Sequence, residues 1–210
     1  MRKFKDLIDG YYRFRGNEWI DEREKWTELA GGQTPKVMVI ACSDSRVDPA
    51  TIFGTRPGEV FVVRNVANLV PPFDPSGGLH GVSAAIEFAV TVLKVEEILV
   101  LGHGQCGGVK ASLSGALTDA KPGEGGFVAE WIKLLKDARE RVVAEHGTGA
   151  EGQTALEQEG VKVSIENLKT FPFVQAGLDD GTLALKGAVF AIADGKLRVL
   201  SDNGTTFEAA

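Results

Sequence analysis

Five side chains carry all the thiol and imidazole chemistry of this 210-residue chain: two cysteines and three histidines. Cys42 ends the apolar run Val37-Met38-Val39-Ile40-Ala41, and His103 and Cys106 follow a second run, Ile98-Leu99-Val100-Leu101. A His-x-x-Cys turn can present an imidazole and a thiol to one ion, and Cys42 can add a third donor from a neighbouring strand. Two thiolates and an imidazole suit tetrahedral Zn²⁺, and three protein donors leave the fourth position open, as in catalytic rather than structural zinc sites. Alone, His-x-x-Cys reads more readily as an ordinary turn with a buried thiol. Asp44-Ser45-Arg46 beside the first cysteine shifts that balance. Asp44 is open to two roles there, as fourth metal ligand or as acceptor of a hydrogen bond from metal-bound water. Arg46 would hold its carboxylate ionised and fix its direction. Gly104, Gly107 and Gly108 allow close backbone approach and a tight entry into the next helix.

The elements that must position these groups follow from hydrophobic pattern. Residues 37–41, 60–63 and 98–101 are short continuous apolar runs, the signature of strands buried on both faces of a parallel sheet. In open α/β sheets, functional side chains gather at the carboxyl ends of such strands, where Cys42, His103 and Cys106 stand. Apolar residues at helical spacing predict a helix over 82–95 packed on the sheet. Further helices are predicted over 109–117, 127–146 and 156–168, with another stretch from Pro172 through Leu178. Residues 187–193 read as a strand, Asp194-Gly195 as a hairpin, and 196–200 as an antiparallel edge strand. Residues 5–29 mix aromatics and charges at helical spacing, forming an arm suited to packing on its own domain or on a partner subunit. With no repeat, low-complexity tract or linker, residues 1–210 form one α/β domain, a mostly parallel central sheet flanked by helices, with residues 1–30 as its helical arm.

Composition closes off several function classes. Lys and Arg number 23 against 29 Asp and Glu, a net charge of -6, which disfavours nucleic-acid binding and attraction to an anionic membrane surface. The N-terminus is too charged for a signal peptide, and no apolar run approaches the length needed to span a bilayer. A soluble cytoplasmic protein is expected, with reduced thiols that are buried, reactive or metal-bound.

Three motifs make the sequence recognisable: Ala41-Cys42-Ser43-Asp44-Ser45-Arg46-Val47, Val63-Arg64-Asn65-Val66-Ala67-Asn68 and Gly102-His103-Gly104-Gln105-Cys106-Gly107-Gly108. In this order and spacing the chain resembles the β-class carbonic anhydrases. The likeness continues through Asn167-Leu168, Pro172-Phe173-Val174 and Leu183-Ala184-Leu185-Lys186-Gly187. The resemblance implies Zn²⁺ held by Cys42, His103 and Cys106, Asp44 and Arg46 as the catalytic dyad, and reversible hydration of CO2 to bicarbonate and a proton by a zinc-bound hydroxide. It is closest to the plant-type branch, including Pro71-Pro72-Phe73-Asp74. By that branch Gln33 helps bind substrate, Phe61 and Val66 line an apolar pocket, and Phe88 stands where relatives carry a tyrosine. Val92 replaces a histidine that some relatives use as proton shuttle, and Val39 replaces a tryptophan of the bicarbonate-gated branch, which implies an open site with Asp44 on Arg46. The family's active site lies at a dimer interface, so a homodimer or higher even oligomer is implied. Rival readings are an enzyme acting on carbon disulfide or carbonyl sulfide, a zinc-binding regulatory protein without catalysis, and a metal-free dithiol redox protein.

Overall fold

Central burial makes β1 (Val37–Cys42) the axis of the sheet: from Met38 onward every residue is buried. The computed structural model describes residues 2–210, and Met1 lies outside them. The chain divides into two compact units, Met1–Thr34 and Pro35–Ala210. The first consists of α1 (Phe4–Gly16), α2 (Glu18–Asp21) and α3 (Arg23–Ala30), none of which has a buried residue. On α1, Phe4, Leu7, Ile8, Tyr11 and Tyr12 are exposed.

In the second unit the strands are β1, β2 (Val60–Asn65), β3 (Glu97–His103), β4 (Ala184–Phe190), β5 (Leu197–Leu200) and β6 (Phe207–Ala209), and the sheet runs β2-β1-β3-β4-β5-β6. Pairings among β2, β1, β3 and β4 are parallel, and β5 and β6 add antiparallel. The chain leaves β1 for β2 on one side, then returns to build β3 on the other. That reversal of winding opens a crevice at the carboxyl ends of β1 and β3. Cys42 and His103 are the terminal residues of those strands.

The helices of this unit are α4 (Pro49–Phe53), α5 (Gly81–Glu87), α6 (Gly107–Ser114), α7 (Gly126–Ile132), α8 (Lys136–His146), α9 (Ala150–Lys169) and α10 (Pro172–Asp179). The longest, α9, buries Leu156, Val161, Ile165 and Leu168 at helical spacing, each contributing about 1.5–3 kcal/mol over exposure. Val161 seats in a notch made by two strand glycines. A Cβ on Gly102 would lie 2.7 Å from Val161 Cγ2, and one on Gly187 would lie 2.8 Å from its Cγ1. Those glycines let α9 lie close on β3 and β4.

Several expected boundaries move. The strand expected over 187–193 is β4, ending at Phe190, because its parallel partner β3 ends at His103 opposite Phe190. The next residues turn instead, with Ala191 O accepting from Gly195 N. The edge strand expected over 196–200 is inside the sheet, since β6 adds beyond it. The helix expected over 127–146 breaks into α7, a short 3₁₀ turn and α8. The one expected over 82–95 passes from α5 into a π-turn, Phe88–Leu93. α4 is a helix that hydrophobic pattern does not show, although Asp48-Pro49 marks its start as N-cap and first helical residue.

Candidate metal centre

Cys42, His103 and Cys106 come together at the crevice. One donor atom from each lies within 4.8 Å of the others, and the two sulfurs are 4.0 Å apart. All three are buried; His103 is 1% exposed. His103 Nδ1 lies 2.9 Å from the Gly104 carbonyl oxygen, which can only accept, so Nδ1 carries the proton and Nε2 presents a lone pair. That Nε2 is buried without a hydrogen-bond partner. An orphaned buried polar atom costs about 1–3 kcal/mol, and a metal ion bound among the three donors would remove that cost. The donor set therefore fits a soft-to-borderline tetrahedral ion such as Zn²⁺.

One thiol of the pair is prepared for ionisation. Cys42 is pulled down to about 4 by hydrogen bonding from Cys106, against burial, with help from the backbone N–H groups of Asp44 and Ala67. Cys106 is pushed up, first because its thiol donates to Cys42 and then by burial. One proton is thus shared between the sulfurs, and a bound cation would displace it. Burial opposes protonation of His103, but the facing Cys42 sulfur raises its pKa.

Local folding explains these contacts. Ala67 and Asn68 both adopt left-handed backbone, at φ 63° and 50°, which costs roughly 1–2 kcal/mol each for L-residues. Asn65 offsets this by accepting from Leu69 N at 2.9 Å and donating to Leu69 O at 2.9 Å, and Trp131 Nε1 donates to Val66 O at 2.8 Å. The turn so held aims the Ala67 N–H at Cys42. Arg64 ties down the loop after β1 by donating to the carbonyls of Cys42 at 2.8 Å and Asp44 at 2.7 Å, and to Asp48 Oδ2 at 3.2 Å.

Asp44 and Arg46 form a fork-to-fork pair. Arg46 Nε donates to Oδ1 at 2.9 Å and Nη2 to Oδ2 at 2.7 Å, while the Arg46 backbone N–H adds a third bond to Oδ1 at 3.0 Å. Arg46 holds the Asp44 carboxyl well below the usual carboxylate range. Its Nη2 also reaches Gln105 O at 3.2 Å, linking the dyad to the His103–Cys106 turn.

A family model described as carbonic anhydrase matches residues 37–197, and the solved β-carbonic anhydrase CcaA superimposes with a TM-score of 0.90 over 98% of both chains at 31% identity. The chain belongs to the β-carbonic anhydrase family. It is accordingly an enzyme of the carbonic anhydrase type. A carbonic anhydrase of Pseudomonas aeruginosa is 39% identical over 204 residues, 97% of this chain and 90% of that one. One of two β-carbonic anhydrases described as tetrameric, from Sordaria macrospora, aligns with a TM-score of 0.79 at 32% identity, covering 97% of this chain and 98% of that one.

Beyond the donors and the dyad, the residues that the family resemblance marks are spread out. Val66 borders the turn after Cys106: a Cβ on Gly108 would lie 2.7 Å from Val66 Cγ1. Phe61 packs on Phe88, ring centroids 5.8 Å apart. Phe61 pairs with Met38, whereas Asn65 pairs with Cys42, so along one chain Phe61 sits roughly 13 Å from the donors at about 3.3 Å per residue. Phe88 and Val92 are exposed. Gln33 is exposed in the segment between α3 and β1. Sequence reasoning passed over Glu157, a buried acid on the apolar face of α9 beside Leu156. A carboxylate in that pattern is the signal that singles it out. Burial pushes its pKa up, while hydrogen bonds from Gln153 and Cys106 oppose the rise.

Proposed function

We propose that this protein catalyses the reversible hydration of CO2 to bicarbonate and a proton, with Zn²⁺ held by Cys42, His103 and Cys106. The observation that carries this reading is the unpartnered Nε2 of His103 between two buried thiols, beside a carboxylate clamped by an arginine. Bound zinc would supply a hydroxide nucleophile near neutral pH by acidifying a water.

The chain's own groups do the rest. The Cys42 and Cys106 thiolates and the neutral His103 would cancel the charge of a bound divalent ion, so it would acidify water less than a three-histidine site does, and activity should decline in mildly acidic solution. Asp44, kept ionised by Arg46, would accept a hydrogen bond from the attacking O–H and so turn its lone pair toward the carbon of CO2. Arg46 also competes for Asp44 and would keep its carboxylate from ligating bound zinc. Val39 offers no hydrogen bond with which an inhibitory bicarbonate pocket could be built. Those two residues support an open site of the plant-type branch, without cooperative inhibition by bicarbonate.

We place the apolar wall for CO2 between two copies of the chain, with Val66 from one and Phe61, Phe88 and Gln33 from its partner. Supporting this are the distance of Phe61 from the donors within one chain, the unpaired edge of β2 with Val62 exposed, and the apolar face of α1, none of whose residues is buried. An even homo-oligomer of this one β-carbonic-anhydrase-like domain in the cytoplasm is the assembly proposed, the helical arm of residues 1–30 packing on the partner. No helix among the described residues is long and apolar enough to cross a membrane.

Metal analysis of the purified protein, paired with stopped-flow CO2 hydration and sedimentation at assay concentration, tests the whole reading. One zinc per chain, rapid hydration and a dimer or larger even assembly are expected. Turnover of carbon disulfide or carbonyl sulfide without CO2 hydration, or full activity in a monomer, would refute it.

A further inference from the structure

The turn that carries His103 and Cys106 is held from behind by one side-chain cluster on α9. Gln105 sits in left-handed backbone at φ 58°, an uncommon conformation for a residue with a side chain. Its effect is to swing successive N–H groups toward the same side, forming a small concavity that attracts an oxygen anion or acceptor. Glu157 fills it. Its Oε1 accepts from Cys106 N at 2.9 Å, and the Gln105 N–H also faces the carboxyl. Gln153, one helical turn earlier, donates from Nε2 to the same Oε1 at 2.6 Å and to Cys106 O at 3.1 Å. Both polar groups of the Cys106 peptide are therefore gripped from α9, and the opposite side of the turn is tied to Arg46 through Gln105 O.

Glu157 is 5% exposed. A buried carboxyl on an apolar helix face is costly unless it is fully hydrogen-bonded, and here its partners are the Cys106 N–H, the facing Gln105 N–H and Gln153, the other residue gripping Cys106. A role in folding α9 alone would be served better by leucine.

We infer that Glu157 and Gln153 are positioning residues that hold the Cys106 sulfur where it converges with Cys42 and His103, so that the metal is retained rather than merely admitted. This deepens the zinc reading and rests on it. The grip needs only an acceptor at Oε1, which either protonation state of the carboxyl provides. Loss of such an outer partner weakens metal binding by roughly 10- to 100-fold in comparable sites.

Two measurements on the full-length protein test the inference: zinc release into excess chelator, and hydrogen exchange of the 103–108 segment in the metal-free form. Gln153→Ala and Glu157→Ala should each release zinc roughly 10- to 100-fold faster than the parent and lose exchange protection at the Cys106 N–H. Glu157→Gln, which keeps an acceptor at Oε1, should stay within a fewfold of the parent. Asn167→Ala is the control: it removes a bond from α9 to Val70 O and should leave zinc release unchanged. If Glu157→Ala does not fold, Gln153→Ala still decides, since Gln153 is only half-buried. Parental release rates in the alanine variants, or a Glu157→Gln variant as leaky as Glu157→Ala, would overturn the inference. A parent protein that takes up no zinc fails the metal reading itself, whereas a parent that holds zinc alongside equally retentive variants fails only the clamp.

Discussion

Gly187 touches none of the three donors, yet the packing around it predicts that Gly187→Ala loosens the metal site. A Cβ there would lie 2.8 Å from Val161 Cγ1, 2.9 Å from Ile165 Cδ1 and 3.2 Å from Leu200 Cβ. Carbon atoms pack best at about 3.5–4.0 Å, so α9 must recede by roughly 0.7 Å at Val161. Overpacking of this kind costs about 1–3 kcal/mol, and the better strand propensity of alanine returns about 0.5–1 kcal/mol. The net loss of about 0.5–2 kcal/mol corresponds to roughly 1–8 °C in Tm for a chain of this size. Val161 lies one helical turn beyond Glu157, so the same shift pulls Glu157 from the Cys106 peptide, and zinc should leave faster. Thermal unfolding of Gly187→Ala, Val161→Ala and the double variant forms a cycle in which the new methyl occupies space vacated by Val161. The double variant should be less destabilised than the sum of the singles, by about 0.5–3 kcal/mol. Strict additivity, or a Gly187→Ala protein with unchanged Tm and zinc release, would refute the packing argument.

Cys106→Ser should lose most bound zinc and nearly all CO2 hydration, because a neutral hydroxyl replaces a thiolate; metal content with retained full turnover would contradict the ligand set. Asp44→Asn should keep zinc but hydrate CO2 roughly 10- to 100-fold more slowly, a loss of about 1.4–2.7 kcal/mol in transition-state stabilisation, which stopped-flow assay and metal analysis separate. Saturating turnover should rise with buffer concentration at fixed pH, since Val92 cannot relay a proton and His146 is engaged with Glu151 at 2.9 Å; a flat response counts against external proton transfer. Asp48 caps α4 and is held below its ordinary pKa, chiefly by the Thr51 N–H. The folded state then binds fewer protons than the unfolded one, so this stabilisation is complete above about pH 4 and disappears as pH falls through the lower folded value. Asp48→Ala should cost about 1 kcal/mol at pH 7, and its Tm should converge on the parent's in strong acid.

The parallel strands were legible because burial on both faces writes unbroken apolar runs, and Cys42 and His103 could be placed because each ends such a run. The dyad was legible because Asp44 and Arg46 are near neighbours in sequence. β6 was not: its short segment Phe207–Ala209 pairs only through the turn at Asn203-Gly204, whose signal precedes too few apolar residues to stand out. The end of β4 was hidden because Ala191-Ile192-Ala193 is as apolar as the strand before it, and only the length of the neighbouring β3 decides where pairing stops. Glu157 was missed because its meaning depends on Cys106, 51 residues away in sequence. Hydrophobic periodicity describes the face of α9 without saying which polar group lies opposite.

That separation also orders events during synthesis. Cys42, His103 and Cys106 have all been made once the chain reaches the start of α6, but Gln153 and Glu157 emerge only with α9. A nascent chain therefore passes through an interval in which every donor is available and nothing yet grips Cys106 from behind. On the zinc reading, metal captured in that interval would exchange freely and would become committed only when α9 settles against β3 and β4. Late docking of one helix would thus serve as proofreading, giving a growing chain the opportunity to discard a wrong ion before the site closes around the right one.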